Sequence, residues 1–156
     1  LMTSAPFPGQ IISSFEAALS AFTILTAYIP MLMDTGGNCG SQSATLVIRG
    51  LALEEIRPRD ALRVIRKELA VAAIVSAVLA AAIGPHLGSA IALVISLSLA
   101  ATVVLAKLVG CMLPIAAKQL HMDPAIMASP LITTIVDAGA VLIYFQAAAA
   151  LLRLPV

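Results

Sequence analysis

From Pro124 to Leu152 the sequence carries a single charge, Asp137, inside the apolar run PAIMASPLITTIVDAGAVLIYFQAAAALL. At ~1.5 Å rise per helical residue, a run of that length outreaches the ~30 Å hydrocarbon core of a bilayer. Asp137 then falls roughly 18 Å from the start of the run, near the bilayer midplane. A carboxylate at that depth costs at least ~2.5 kcal/mol, so it faces a polar pathway rather than lipid. The rest of the chain has the same character. Its 156 residues are 61% hydrophobic and 11% charged, against about 25% charged in a soluble domain. The composition therefore implies an integral membrane protein with an all-α, polytopic fold. A net charge of +1, with the basic residues gathered in one loop, argues against a nucleic-acid partner. Cys39 and Cys111 lie in apolar stretches and read as small buried thiols, with no disulfide or metal spacing.

Five spans are expected. The first segment, LMTSAPFPGQIISSF, meets Glu16 after about 15 residues, short of the ~20 that span a bilayer. It reads as the second half of a spanning helix cut short. The second stretch runs from Ala17 to Ile48 and is interrupted by Pro30, Gly36, Gly37 and Gly40. Its length and those residues predict a steeply tilted or locally unwound helix. A short third span covers residues 69–84, a fourth runs from Ser89 to Lys118, and a fifth from about Ala125 to Leu152. Six Lys/Arg between Arg49 and Lys67 place that loop in the cytoplasm, together with the turn at Lys118 and His121. The region of Glu16, the turn at Pro85 to Gly88 and the C-terminus are then external. The loop at 49–67 is a topology determinant with a secondary capacity for anionic lipid headgroups.

The second informative block is DTGGNCGSQSAT, residues 34–45, which puts Asp34, Asn38, Gln42 and several hydroxyls at membrane depth. Its glycines permit either backbone unwinding beside a cavity or a small-xxx-small packing seam from Gly36 to Gly40. No Gly-Lys-Ser/Thr follows them, which argues against a phosphate loop. Neither a zinc-binding motif nor a serine–histidine pair in the spans is present, since His86 and His121 fall in turns, so the chain does not read as an enzyme. Lys107 lies inside the fourth span. It is expected either to neutralise Asp34 or Asp137 or to snorkel toward the cytoplasm. Glu68, near a span end, reads as solvated, and Glu16 is a candidate for the outer mouth of a cation pathway.

Several blocks resemble the membrane domain of the MgtE family of magnesium channels and transporters. They are Phe15 and Glu16, PMLMDTGGNCGSQSATLVIRGLALEEI from Pro30, RKEL from Arg66, LVGCMLP from Leu108, and DPAIMASPLITTIVDAGAVLIY from Asp123. The resemblance covers nearly the whole chain, 1–156, as one ion-conducting domain in a bacterial inner membrane. It implies five transmembrane helices per subunit and a homodimer whose ion path follows the two-fold axis, lined by the second and fifth helices. Asp137 matches the family's ion contact, and the backbone at Thr133 a carbonyl offered to the hydrated ion. Asp34 is expected to add a supporting oxygen, while Gly36, Gly37, Asn38, Ser129, Pro130 and Thr134 line the path. Ser129 stands where some members carry Asn, which puts any gating contact of that Asn in doubt. The cytoplasmic magnesium-sensing domains of bacterial members have no counterpart in this sequence.

Mg²⁺ gives up its waters reluctantly, so a pore can hold it through its hydration shell. Two carboxylates meeting at a two-fold axis repel each other, and a dication between them cancels that cost. Such an oxygen-lined site also admits Mn²⁺ or Co²⁺. The expected activity is Mg²⁺ conduction into the cytoplasm. A Na⁺- or H⁺-coupled exchanger and a non-transporting membrane subunit remain the alternatives.

Overall fold

The computed structural model describes residues 23–83, 85 and 89–152. Among these it shows four α-helices: α1 (Thr23–Ala52), α2 (Ala61–Ile83), α3 (Ser89–Gln119) and α4 (Pro124–Leu152), with a short 3-10 turn at Pro58–Asp60 before α2. They correspond to the second through fifth expected spans. The expected first span, Glu16 and the C-terminal end lie outside the described residues, as does most of the turn after α2. By length and apolarity, α3 (from Ala90) and α4 (from Pro130) qualify as membrane-crossing helices. α1 is diluted by its polar block and α2 by its basic first turns.

α3 is the central helix and packs against each of the other three, while α1 and α4 also pack on each other. The main core joins all four, with Leu25, Ile29 and Leu32 of α1, Ala72 of α2, Val94, Ile95, Leu99 and Val103 of α3, and Val141, Tyr144 and Phe145 of α4. Tyr144, 1% exposed, donates its hydroxyl to the Leu25 carbonyl at 2.8 Å, which ties α4 to the start of α1. Outward faces are equally apolar. Ile74 and Val78 on α2, and Leu93 and Leu97 on α3, are each more than half exposed at four-residue spacing. Water would penalise such a surface and lipid does not.

Of the two arrangements expected at the α1 glycines, unwinding beside a cavity and a packing seam from Gly36 to Gly40, the structure shows the seam: α1 continues as one α-helix through Gly36, Gly37 and Gly40. A Cβ built on Gly36 would stand 2.7 Å from Val136 and 2.8 Å from Thr102, and one on Gly40 would stand 2.7 Å from Ile132. A Cβ on Gly110 would strike the Gly40 carbonyl oxygen itself. These glycines are needed for close backbone approach, so their freedom is spent on packing α1 into the groove between α3 and α4. The third span is longer than expected, because α2 begins at Ala61, inside the basic segment, with Arg63, Arg66 and Lys67 on its exposed side.

α3 ends with Met122 N–H on the Ala117 carbonyl (2.9 Å) and His121 N–H on the Lys118 carbonyl (3.2 Å), with His121 at φ 57°. That is a Schellman ending with histidine where glycine is usual. Asp123 then caps α4 by accepting from Ala125 N–H at 2.9 Å, and Pro124 takes the first helical position, where no N–H is needed. Lys118 shares a cleft with Leu51, Glu54 and Arg57, which puts the α1–α2 and α3–α4 turns at the same end of the bundle.

Candidate functional site

The antiparallel packing of α1 on α4 builds the site. Val136 and Ile132, one turn apart on α4, fill the hollows at Gly36 and Gly40. The neighbouring pair on α4, Asp137 and Thr133, then comes beside Gly37. A Cβ there would lie 3.9 Å from Asp137 Oδ1 and 3.9 Å from Thr133 Cγ2, an ordinary contact distance. Three of the residues singled out in the sequence, Gly37, Thr133 and Asp137, are therefore neighbours. Asp137 is half-buried.

Asp34, Asn38, Gln42 and Thr45 are exposed and Ser41 is half-buried, so they form one polar stripe along α1 at three- and four-residue spacing. Asn38, Ser41, Gln42 and Thr45 line an open groove of about 500 Å³. Ser41 and Thr45 were not singled out from the sequence, although their spacing from Asp34 and Asn38 carried the signal. Pro130 lies at the open surface of α4, with Ser129 immediately before it in the same helix. Pro130 has no N–H, and its carbonyl receives the hydroxyls of Thr133 (3.1 Å) and Thr134 (2.9 Å). Both hydroxyl protons are thus turned back into the helix.

The expected partners of Lys107 are corrected. Lys107 Nζ pairs with Glu68 Oε2 at 3.1 Å, both side chains 6% exposed, and not with Asp34 or Asp137. Glu68, expected in solvent, is buried because α2 starts early and carries it into the bundle. Ser43 Oγ lies 2.6 Å from the same carboxylate and 3.1 Å from the Cys39 carbonyl. The charged oxygen at the shorter distance takes the single hydroxyl proton. Lys107 is thereby neutralised behind α1, and no other ion pair occurs among the described residues. Neither Asp34 nor Asp137 forms an ion pair among the described residues.

Among the described residues, no three His, Cys, Asp or Glu side chains of the single chain converge on one metal position. What the chain presents is one half-buried carboxylate, the oxygens around it, and a polar helix face open to the outside. Cys39 and Cys111 are free thiols, half-buried and buried, as expected.

Residues 29–147 match the sequence profile of the MgtE family, described as divalent cation transporter. The chain is 38% identical over 157 residues to the magnesium transporter MgtE of Thermus thermophilus, covering 98% of this chain and 35% of that protein. It is 37% identical over 150 residues to the magnesium transporter MgtE of Bacillus subtilis (93% and 33%). The Enterococcus faecalis protein of the same name is 30% identical over 149 residues (92% and 33%). The chain spans about a third of the length of the curated relatives it matches.

Proposed function

Because the chain belongs to the MgtE family of divalent cation transporters, we propose that it carries Mg²⁺ across a membrane along a path lined by α1 and α4. The observation that carries this reading is the state of Asp137. It lies beside Gly37 and Thr133, half-buried, next to the polar stripe of α1, while the nearby buried cation is already held by Glu68. A carboxylate at membrane depth with no fixed counter-ion is served by a mobile one.

The open polar face needs a second surface, since lipid does not solvate Asn38, Gln42 and Thr45. A second copy of the chain, related by a two-fold axis, supplies it and brings two Asp137 carboxylates toward one path. Two acids on an axis favour a dication, and a water-shell fit favours Mg²⁺, with Mn²⁺ and Co²⁺ as competitors. Thr133 and Thr134 oxygens, the backbone at Gly37, and Asn38 and Asp34 contact the hydration shell. With Ser129 and Pro130 at the cytoplasmic end, Mg²⁺ enters from the outside and leaves at the end of the bundle that carries the α1–α2 and α3–α4 turns. Five spans per subunit, with segment 49–67 on the cytoplasmic side and the C-terminus outside, complete this reading.

Asp137→Ala is the test. It is expected to abolish Mg²⁺-dependent rescue of uptake-deficient cells while expression and assembly persist. Rescue at the level of the unmodified protein removes the assignment. Flux that needs an imposed Na⁺ or H⁺ gradient would replace the channel with an exchanger.

A further inference from the structure

The cluster of Ser43 on α1, Glu68 on α2 and Lys107 on α3 has no part in the path itself, yet it is the polar tie that joins three helices. It sits at the crossing of α1 and α3. Ser43 is three residues beyond Gly40 and Lys107 three before Gly110, the two glycines whose backbones meet. We propose that Glu68, Lys107 and Ser43 are positioning residues that fix the rotation of α1, and so hold Asn38 and Gln42 toward the ion path. The inference rests on the Mg²⁺-transport reading above.

A glycine-on-glycine crossing brings backbones close but offers no side chain to key one helix against rotation about its axis. In lipid no hydrophobic force supplies that key, since tails are as apolar as leucine. The margin is narrow. Gln42 is exposed and Ser43 fully buried, so a turn of α1 by one residue exchanges a path residue for a buried one. Tight packing of α1 on α2 does not settle the matter either. A crevice of about 240 Å³ opens between them, with Leu46, Val47 and Arg49 on one wall, Val64 and Lys67 on the other, and Glu68 among its lining residues. Glu68 reaches Ser43 across this gap, and Lys107 holds Glu68 from α3. The hydroxyl of α1 is thereby clamped to a carboxylate whose own direction is fixed.

A buried ion pair can often be replaced by apolar residues without loss of stability, whereas removal of one partner strands a charge. Glu68→Met/Lys107→Met in the full-length protein therefore separates fold from position. The double variant is expected to assemble with a melting temperature near the parent's. Its half-saturating Mg²⁺ for uptake is expected to rise roughly fivefold or more, the size typical of coupling through a packed network. Native Cys39, half-buried beside Asn38, reports rotation of α1 directly. Its labelling rate by a maleimide, read by mass spectrometry, is expected to change several-fold in the double variant. Parent-like Mg²⁺ dependence and parent-like Cys39 labelling overturn the inference.

Should the double variant fail to fold, Ser43→Ala carries the same test. It leaves the ion pair intact and is expected to shift both readouts in the same direction, and parent-like values in it overturn the inference. A parent protein that moves no Mg²⁺ sinks the transport reading and this inference together, an outcome distinct from a silent variant of a working parent.

Discussion

Gly110→Ala puts the packing argument at direct risk. The added methyl would strike the Gly40 carbonyl oxygen and stand 3.0 and 3.1 Å from its carbon and Cα. None of these atoms belongs to a side chain that can swing aside, so α1 and α3 must part by several tenths of an ångström. Overpacking of this kind costs ~1–3 kcal/mol, and the upper end applies because backbone faces backbone. Parting the helices also draws Gly40 off Ile132 and strains the Ser43–Glu68 contact. For a chain of this size ~3 kcal/mol corresponds to a fall of roughly 10 °C in melting temperature.

Gly37→Ala supplies the control. Its methyl meets Asp137 Oδ1 and Thr133 Cγ2 at 3.9 Å, and alanine is the better helix former by ~1 kcal/mol. That variant is expected to melt at or slightly above the parent while its Mg²⁺ uptake falls, because the methyl occupies space beside the carboxylate that a hydrated ion would use. Thermal unfolding in detergent, paired with uptake in cells, checks both. The reasoning is refuted if Gly110→Ala melts within about 2 °C of the parent, or if Gly37→Ala is the more damaged of the two.

Tyr144→Phe removes the hydroxyl held by the Leu25 carbonyl and is expected to lower stability by ~0.6–1.5 kcal/mol, read as a melting shift of a few degrees with uptake preserved. His121→Gly relieves a left-handed backbone at φ 57° and is expected to gain ~0.5–1 kcal/mol in the same assay, the strain relief being partly offset by glycine's entropy in the unfolded chain. Mg²⁺ at ten times its dissociation constant should stabilise the protein by ~1.4 kcal/mol through binding to the folded state alone. Asp137→Ala should abolish that shift, and a shift of equal size in the variant would place the ion elsewhere.

The apolar runs determined the class of fold, because chain length against bilayer thickness leaves few options once charge is this scarce. α3 and α4 emerge within about a residue of their expected bounds for that reason. The polarity of residues 34–45 and the isolation of Asp137 were equally legible, since a polar group at membrane depth is conspicuous from composition alone. Which glycine does what was not legible. Gly36, Gly37 and Gly40 look alike in sequence, and only the approach of α3 and α4 makes the first and last packing contacts and leaves Gly37 beside the carboxylate.

The partner of Lys107 was hidden for a similar reason. Glu68 looks like the end of a basic, solvated loop until α2 is seen to start at Ala61, and the 3.1 Å pair forms between helices whose separation in sequence carries no distance information. Local hydropathy is fixed by each residue's own transfer energy and can be read along the chain. Pairing of charges and keying of helices depend on where separate segments meet, and that was decided by packing in three dimensions.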